Sequence, residues 1–157
     1  MRVASRSGEG EWAPIDPVQS LVQFRSAPVA VDLRVSSDGP IAVAAGAPAA
    51  DACLPDAGGV VLGDDRSQTL NFRDVVNSGA IEQGGGFGHT VSIGGFDGNT
   101  IAVTADRGPG TVFRVQTEAI AVAIIDGDIA AAMVIDDRTV VTVDRSVPGV
   151  MGIVTVP

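Results

Sequence analysis

From Val29 onward the chain alternates apolar and polar residues with a period of two. "VAVDLRVS" sets Val29, Val31, Leu33 and Val35 on one face and Ala30, Asp32, Arg34 and Ser36 on the other, the signature of a half-buried strand. "SDGP" then reads as a turn and "IAVAA" as a second strand. Asp-Gly between apolar runs is a strong hairpin signal, because glycine accepts positive φ at little cost. The same device recurs in "HTVSIGGFDGNTIAVTAD" and in "AIAVAIIDGDIAAAMVIDD", with Asp97-Gly98 and Asp126-Gly127 as turns. Asp136-Asp137-Arg138 turns into "TVVTVD", and Pro148-Gly149 leads into a last strand, "GVMGIVTV". The D-G-x-(x)-I-A spacings are irregular, which favours reuse of a good turn over a solenoid repeat.

Two regions break the alternation. Residues 1–27 mix Gly, Ser, Pro and charge without a period and read as an N-terminal arm. Asp16-Pro17 can start a short helix there, and an extended run through "SLVQF" competes with it. Residues 46–83 form a less regular insert, with a short strand at "VVL" and a segment, "SQTLNFRDVVNSG", that fits one helix ending at Gly79. The sum is eight to ten short strands and at most two short helices. This predicts an all-β domain over 28–157, an antiparallel β-sandwich or barrel built from hairpins, carrying an extended N-terminal arm.

Composition narrows the functions. The chain has 157 residues, one domain's worth, and can bury a core without metal or disulfide. Cys53 is the only cysteine, so no intrachain disulfide forms. All ten basic residues are arginine, and 15 of the 19 acids are aspartate. Without lysine there is no phosphate-loop lysine, Schiff base or lysine general base. A net charge of −9 argues against a nucleic-acid backbone or an anionic membrane as partner. The longest apolar runs, such as "AIAVAII" at 119–125, fall far short of the roughly 20 residues a spanning helix needs.

Candidate chemistry is thin. "GGGFGHTVSIGG" packs six glycines around the only histidine, His89. It lacks the phase of G-x-G-x-x-G and leads into strand-like alternation, so a tightly approached loop before a hairpin is expected. His89 has no nucleophile or acid recognisably paired with it, and no catalytic residue is assigned. Asp64-Asp65, Asp126-x-Asp128 and Asp136-Asp137 match no calcium loop and suit β-turns, where aspartate bonds the backbone. One cysteine and one histidine do not make a zinc site. No cofactor is expected.

Segment 119–135 is apolar on both faces and mean hydropathy is positive, which calls for subunit packing. With its N-terminal arm, its Ala/Val/Gly-rich β body and hairpins such as "DGDIAAAMVIDDRTVVTVD", the chain resembles the small β-rich structural proteins of tailed bacteriophages, in particular capsid decoration (cement) proteins. The resemblance is one of general character over 28–157 and rests on no motif. It implies a non-enzymatic virion protein, assembled in the host cytoplasm. Such a protein is a homotrimer seated on a major capsid or other virion protein, stabilising the lattice. Arg2, Arg6, Trp12 and Arg25 are the expected partner-binding residues of the arm. A phage tail protein is the near alternative. A carbohydrate- or calcium-binding β-sandwich is the rival from another class, and an enzyme using His89 the third.

Overall fold

The computed structural model describes residues 4–5, 13–14, 30–35, 41–50, 57–64, 71–75, 85–95, 98–115 and 119–157. Every regular element among them is a β-strand, and every strand pairing is antiparallel. The all-β antiparallel class is therefore as expected.

Strands β1 (Ala4–Ser5) and β2 (Ala13–Pro14) pair with each other, Ala4 opposite Pro14. A first four-stranded sheet follows chain order: β3 (Ala30–Val35), β4 (Ile41–Ala47), β5 (Gly59–Asp64) and β6 (Asn71–Val75). A central sheet has the order β10-β9-β8-β7, from β7 (Thr90–Gly94), β8 (Thr100–Thr104), β9 (Gly110–Val115) and β10 (Ala119–Ile125). The last sheet is β11 (Ile129–Val134), β12 (Thr139–Asp144) and β13 (Met151–Thr155).

Two hydrophobic cores lie on opposite faces of the central sheet, making a three-layer sandwich. On one face Ile93, Ile101 and Phe113 form a cross-strand row that packs on Ala42, Ala44, Val60 and Leu62 of the first sheet. On the other, Ala102, Val112 and Ile125 meet Ile129, Ala132, Val134 and Val140 of the last sheet. All five residues of β8 are buried. A strand covered on both sides reads as "TIAVT", near-continuously apolar with threonine as its only polar residue. Its Thr104 hydroxyl hydrogen-bonds that of Thr90 at 2.7 Å.

The last sheet crosses the central one. Ile129, at the start of β11, touches Gly110 of β9, while Val134 at its end lies over Gly94 of β7 and donates its N–H to the Ser92 hydroxyl at 3.1 Å. One strand so runs diagonally over β9, β8 and β7 from one end of the sheet to the other, nearer the aligned packing of two twisted sheets than a right-angle crossing, and a corner at Asp126-Gly127 carries the chain from sheet to sheet. Glycine at 94 permits it: a Cβ there would sit 2.6 Å from Val134 Cγ1.

Four local expectations are corrected. The segment read as a helix ending at Gly79 carries strand β6, which pairs residue by residue with β5 from Val60↔Val75 to Asp64↔Asn71. Sheet pairing at the open side of β5 outweighs the weak local helix signal. Asp126-Gly127 is no hairpin turn, since β10 and β11 belong to different sheets; it is the corner just described. The alternation of β3 also turns the other way. Val31 is 54% exposed, while Asp32 reaches the central sheet, its carboxylate accepting the Ile93 N–H at 2.8 Å. A satisfied carboxylate can face a neighbouring sheet, so at this point the inward side is set by that bond and not by Val31. Finally, straight alternation would set Ala119, Ala121 and Ala123 on one face of β10, opposite Ile120, Val122 and Ile124; a bulge between Ala121 and Ala123 breaks the phase, so Ala123 lies on the other face.

Candidate functional site

The glycine-rich stretch is a seam between sheets. Phe87 is buried, and its ring meets Phe113 edge-on, centroids 6.1 Å apart at 78°. Gly86 and Gly88, on either side of it, have φ of 62° and 92°, backbone that disfavours a side chain. Gly88 also lies against the backbone of Gly46, Ala47 and Gly59. The glycines serve close approach of two backbones, with Phe87 as the anchor.

His89 follows on this seam. Its N–H donates to the Thr104 carbonyl at 3.0 Å, and its Nδ1 stands 3.8 Å from the Asp106 carboxylate. Both side chains are largely solvated, a setting in which an ion pair contributes little. His89→Ala is expected to change stability by less than about 0.5 kcal/mol, read from thermal melts. Loss of an enzymatic activity in that variant would assign His89 a role the geometry does not give it.

The aspartates organise turns. Asp136 accepts the Arg138 N–H at 2.8 Å, and Asp144 accepts the N–H and the hydroxyl of Ser146 at 2.8 and 2.6 Å. Asp128 accepts the Gly108 N–H at 3.0 Å and Arg145 Nη1 at 2.9 Å, tying the β10–β11 corner to its neighbours. Among the described residues, no three His, Cys, Asp or Glu gather as a metal site. The Gly108 N–H, then the Arg145 guanidinium, holds the Asp128 carboxyl below its ordinary value of 3.8. The Arg138 N–H does the same for Asp136, and the Ser146 hydroxyl and N–H for Asp144.

A carboxyl with a lowered folded-state pKa stabilises the fold above the unfolded value, and that contribution is lost as pH falls through the folded one. Melting temperature is thus expected to drop below about pH 4. Asp128→Asn should flatten that drop, and an unchanged acid limb in that variant would contradict it.

Arg2, Arg6, Trp12 and Arg25 lie outside the described residues, as do Cys53 and the possible helix at Asp16-Pro17. Of the arm, the structure shows that β1 and β2 pair antiparallel and bracket residues 6–12.

The surface feature that stands out is the outer face of β11–β12–β13. The register sets Met133, Val141 and Ile153 in one row across the three strands, and Ala131, Val143 and Met151 in the next. Thr139 and Thr155 close the face at one end. None of these side chains carries a charge. Met151 and Ile153 are 74% and 75% exposed, and Met133 is 55% exposed. The solvated side of an antiparallel sheet is ordinarily polar. Here it is as apolar as the buried side, with Ala132, Val134, Val140 and Val154 turned inward. Sequence alone showed the apolar excess of 119–135, yet Met151 and Ile153 join the patch only through β12–β13 pairing. Nearby, a cleft of about 340 Å³ opens between Ile124 and Ile125 of β10 and Val147, Val150 and Val154.

Comparison with protein-family models, with curated proteins and with solved structures found no match.

Proposed function

We propose that the protein is a non-enzymatic structural unit that self-associates and docks on a larger protein assembly, a capsid lattice or tail of a virion. The observation that carries this reading is the uncharged, exposed outer face of β11–β12–β13. An apolar patch of this kind marks a protein–protein contact. The general resemblance to phage structural proteins supplies the virion. The acidic body suits a basic protein surface as the docking partner.

The test has two parts. Light scattering should give a stable multiple of the 15.8 kDa chain at micromolar concentration, and a monomer there would overturn the reading. Deleting residues 1–15 removes Arg2, Arg6 and Trp12 and should leave the oligomer intact. Co-sedimentation with the particle should weaken at least about thirtyfold, the loss expected from one interface anchor of about 2 kcal/mol. Equal binding by the truncated chain would make the arm a passive tail.

A further inference from the structure

We propose that the cleft between the end of β10 and the inward side of β12–β13 receives a lysine side chain of the protein on which this one docks. The aliphatic stem lies on the walls of the cleft, and the ammonium bonds Thr142, Asp144 and Asp126. The inference rests on the docking proposed above and names the chemistry that is gripped.

The pairing of β12 with β13 makes the space. Val140, Thr142 and Asp144 share the inward face of β12. Val140 is buried against the central sheet, whereas Thr142 and Asp144 line the cleft. Opposite Thr142 on β13 stands Gly152. A Cβ there would meet one atom, Thr142 Oγ1, at 2.7 Å. The side chain that glycine lacks is thus part of the opening. At about 340 Å³ the cleft lies at the low end of the roughly 300–1,000 Å³ of ligand sites. That suits one side chain and not a length of polypeptide.

The lining sets the ligand's chemistry. Ile124 and Ile125 of β10, Val147 and Val150 of the β12–β13 turn, and Val154 of β13 make aliphatic walls without an aromatic ring. Methylene stems lie well along such surfaces while their charged heads reach polar groups. Asp126 and Asp144 are the only charged residues in the lining. Arg145, beside Asp144, is bonded to Asp128 instead, at 2.9 Å. The cleft is therefore acidic, with no cation of its own. A second feature is independent of charge. Thr142 is only 5% exposed, and its hydroxyl has no hydrogen-bond partner among the described residues. A buried hydroxyl ordinarily has one, and a ligand donor would supply it. Thr142 and Asp144 lie about 7 Å apart along the backbone of one strand face. One ammonium can bridge such a spacing with bonds of about 2.9 Å.

Lysine fits better than arginine. Asp144 Oδ1 already accepts the Ser146 N–H and hydroxyl, so this carboxylate has no free pair of oxygens for a planar guanidinium fork. A compact ammonium with three donors suits separate single acceptors. These 157 residues contain no lysine, so neither this copy nor another supplies the occupant from them.

Titration of the full chain with Nα-acetyl-lysinamide, followed by amide chemical shifts, reads the site. Shifts should centre on residues 124–129 and 142–152 and saturate in the millimolar range. Acetylating the probe's ε-amine keeps the stem, removes the charge and should weaken binding at least about tenfold. The arginine analogue should bind at least about threefold more weakly. Gly152→Val fills the cleft at a position without positive φ and should weaken binding at least about tenfold. Asp126→Asn, at an exposed corner, should weaken it about threefold and keeps the test open if Gly152→Val fails to fold. Absence of localised shifts, or equal binding of the neutral probe, overturns the site. Tighter binding of the arginine analogue overturns lysine as its occupant. In co-sedimentation with the particle, Gly152→Val and Asp126→Asn should weaken binding in the same order. Variants that lose the probe yet sediment as the unaltered chain does overturn the docking role and leave an ammonium site. An unaltered chain that binds the probe but not the particle overturns the docking reading itself.

Discussion

Gly46→Ala is expected to cost at least about 3 kcal/mol, a drop of roughly 6–12 °C in melting temperature for a chain of this size. Gly46 has no unusual backbone angle, so the cost comes from space alone. A Cβ at 46 would run into the Gly88 carbonyl oxygen and lie 2.9 Å from the Gly88 carbonyl carbon and 3.0 Å from Val91 Cγ1. The first two are backbone and cannot rotate away. Relief requires the seam between the first and central sheets to open, and Phe87 sits one residue from the collision. Gly108→Ala is the matched control. Its φ of 92° makes alanine strained, but nothing lies within 4 Å of the added carbon. Only the backbone strain of about 1–2 kcal/mol should appear. Thermal or denaturant unfolding measures both, and equal costs would show that the seam can part freely.

Phe113→Ala is expected to cost about 3–5 kcal/mol, a large share of the 5–15 kcal/mol that holds an ordinary domain together. Phe113 is 1% exposed and is the largest fully buried side chain among the described residues. Its ring ends the row begun by Ile93 and Ile101 and belongs to the core that the central sheet shares with Ala42, Ala44, Val60 and Leu62 of the first sheet. A cavity of phenyl size between two paired sheets closes only if the sheets move. The edge-on contact with Phe87 is lost as well, worth about 0.5–1.5 kcal/mol beyond burial. Phe113→Leu should recover much of the loss. Indifference to Phe113→Ala in denaturant titrations would mean that this core collapses readily, contrary to its packing across two sheets.

The strands were legible because a half-buried strand writes its own alternation. "HTVSI" became β7, "TVVTVD" β12, and "GVMGIVTV" β13, each within a residue or two of its expected place. The turn aspartate Asp136 was legible for a similarly local reason: it bonds the backbone two residues ahead. The glycines around His89 could be recognised as a close approach, since their spacing fitted no phosphate loop.

What local pattern could not carry was the identity of each neighbour. Alternation marks two faces of β3 and does not say which is covered; the Ile93 N–H, 61 residues further on, selects Asp32 for the inside. An Asp-Gly turn suits a hairpin or a corner equally. Whether β11 folds back on β10 or crosses the central sheet depends on Gly94 leaving room for Val134. The outer face follows the same logic. Met133 and Ile153 are twenty residues apart, and neither predicts the other. They become one surface because Val141 pairs with both, on a sheet whose opposite side the central sheet already fills. Sequence determines how each strand presents its side chains, a matter of neighbours two residues apart. Tertiary structure decides which presentations meet, because burial and hydrogen bonding between sheets are satisfied by residues far along the chain.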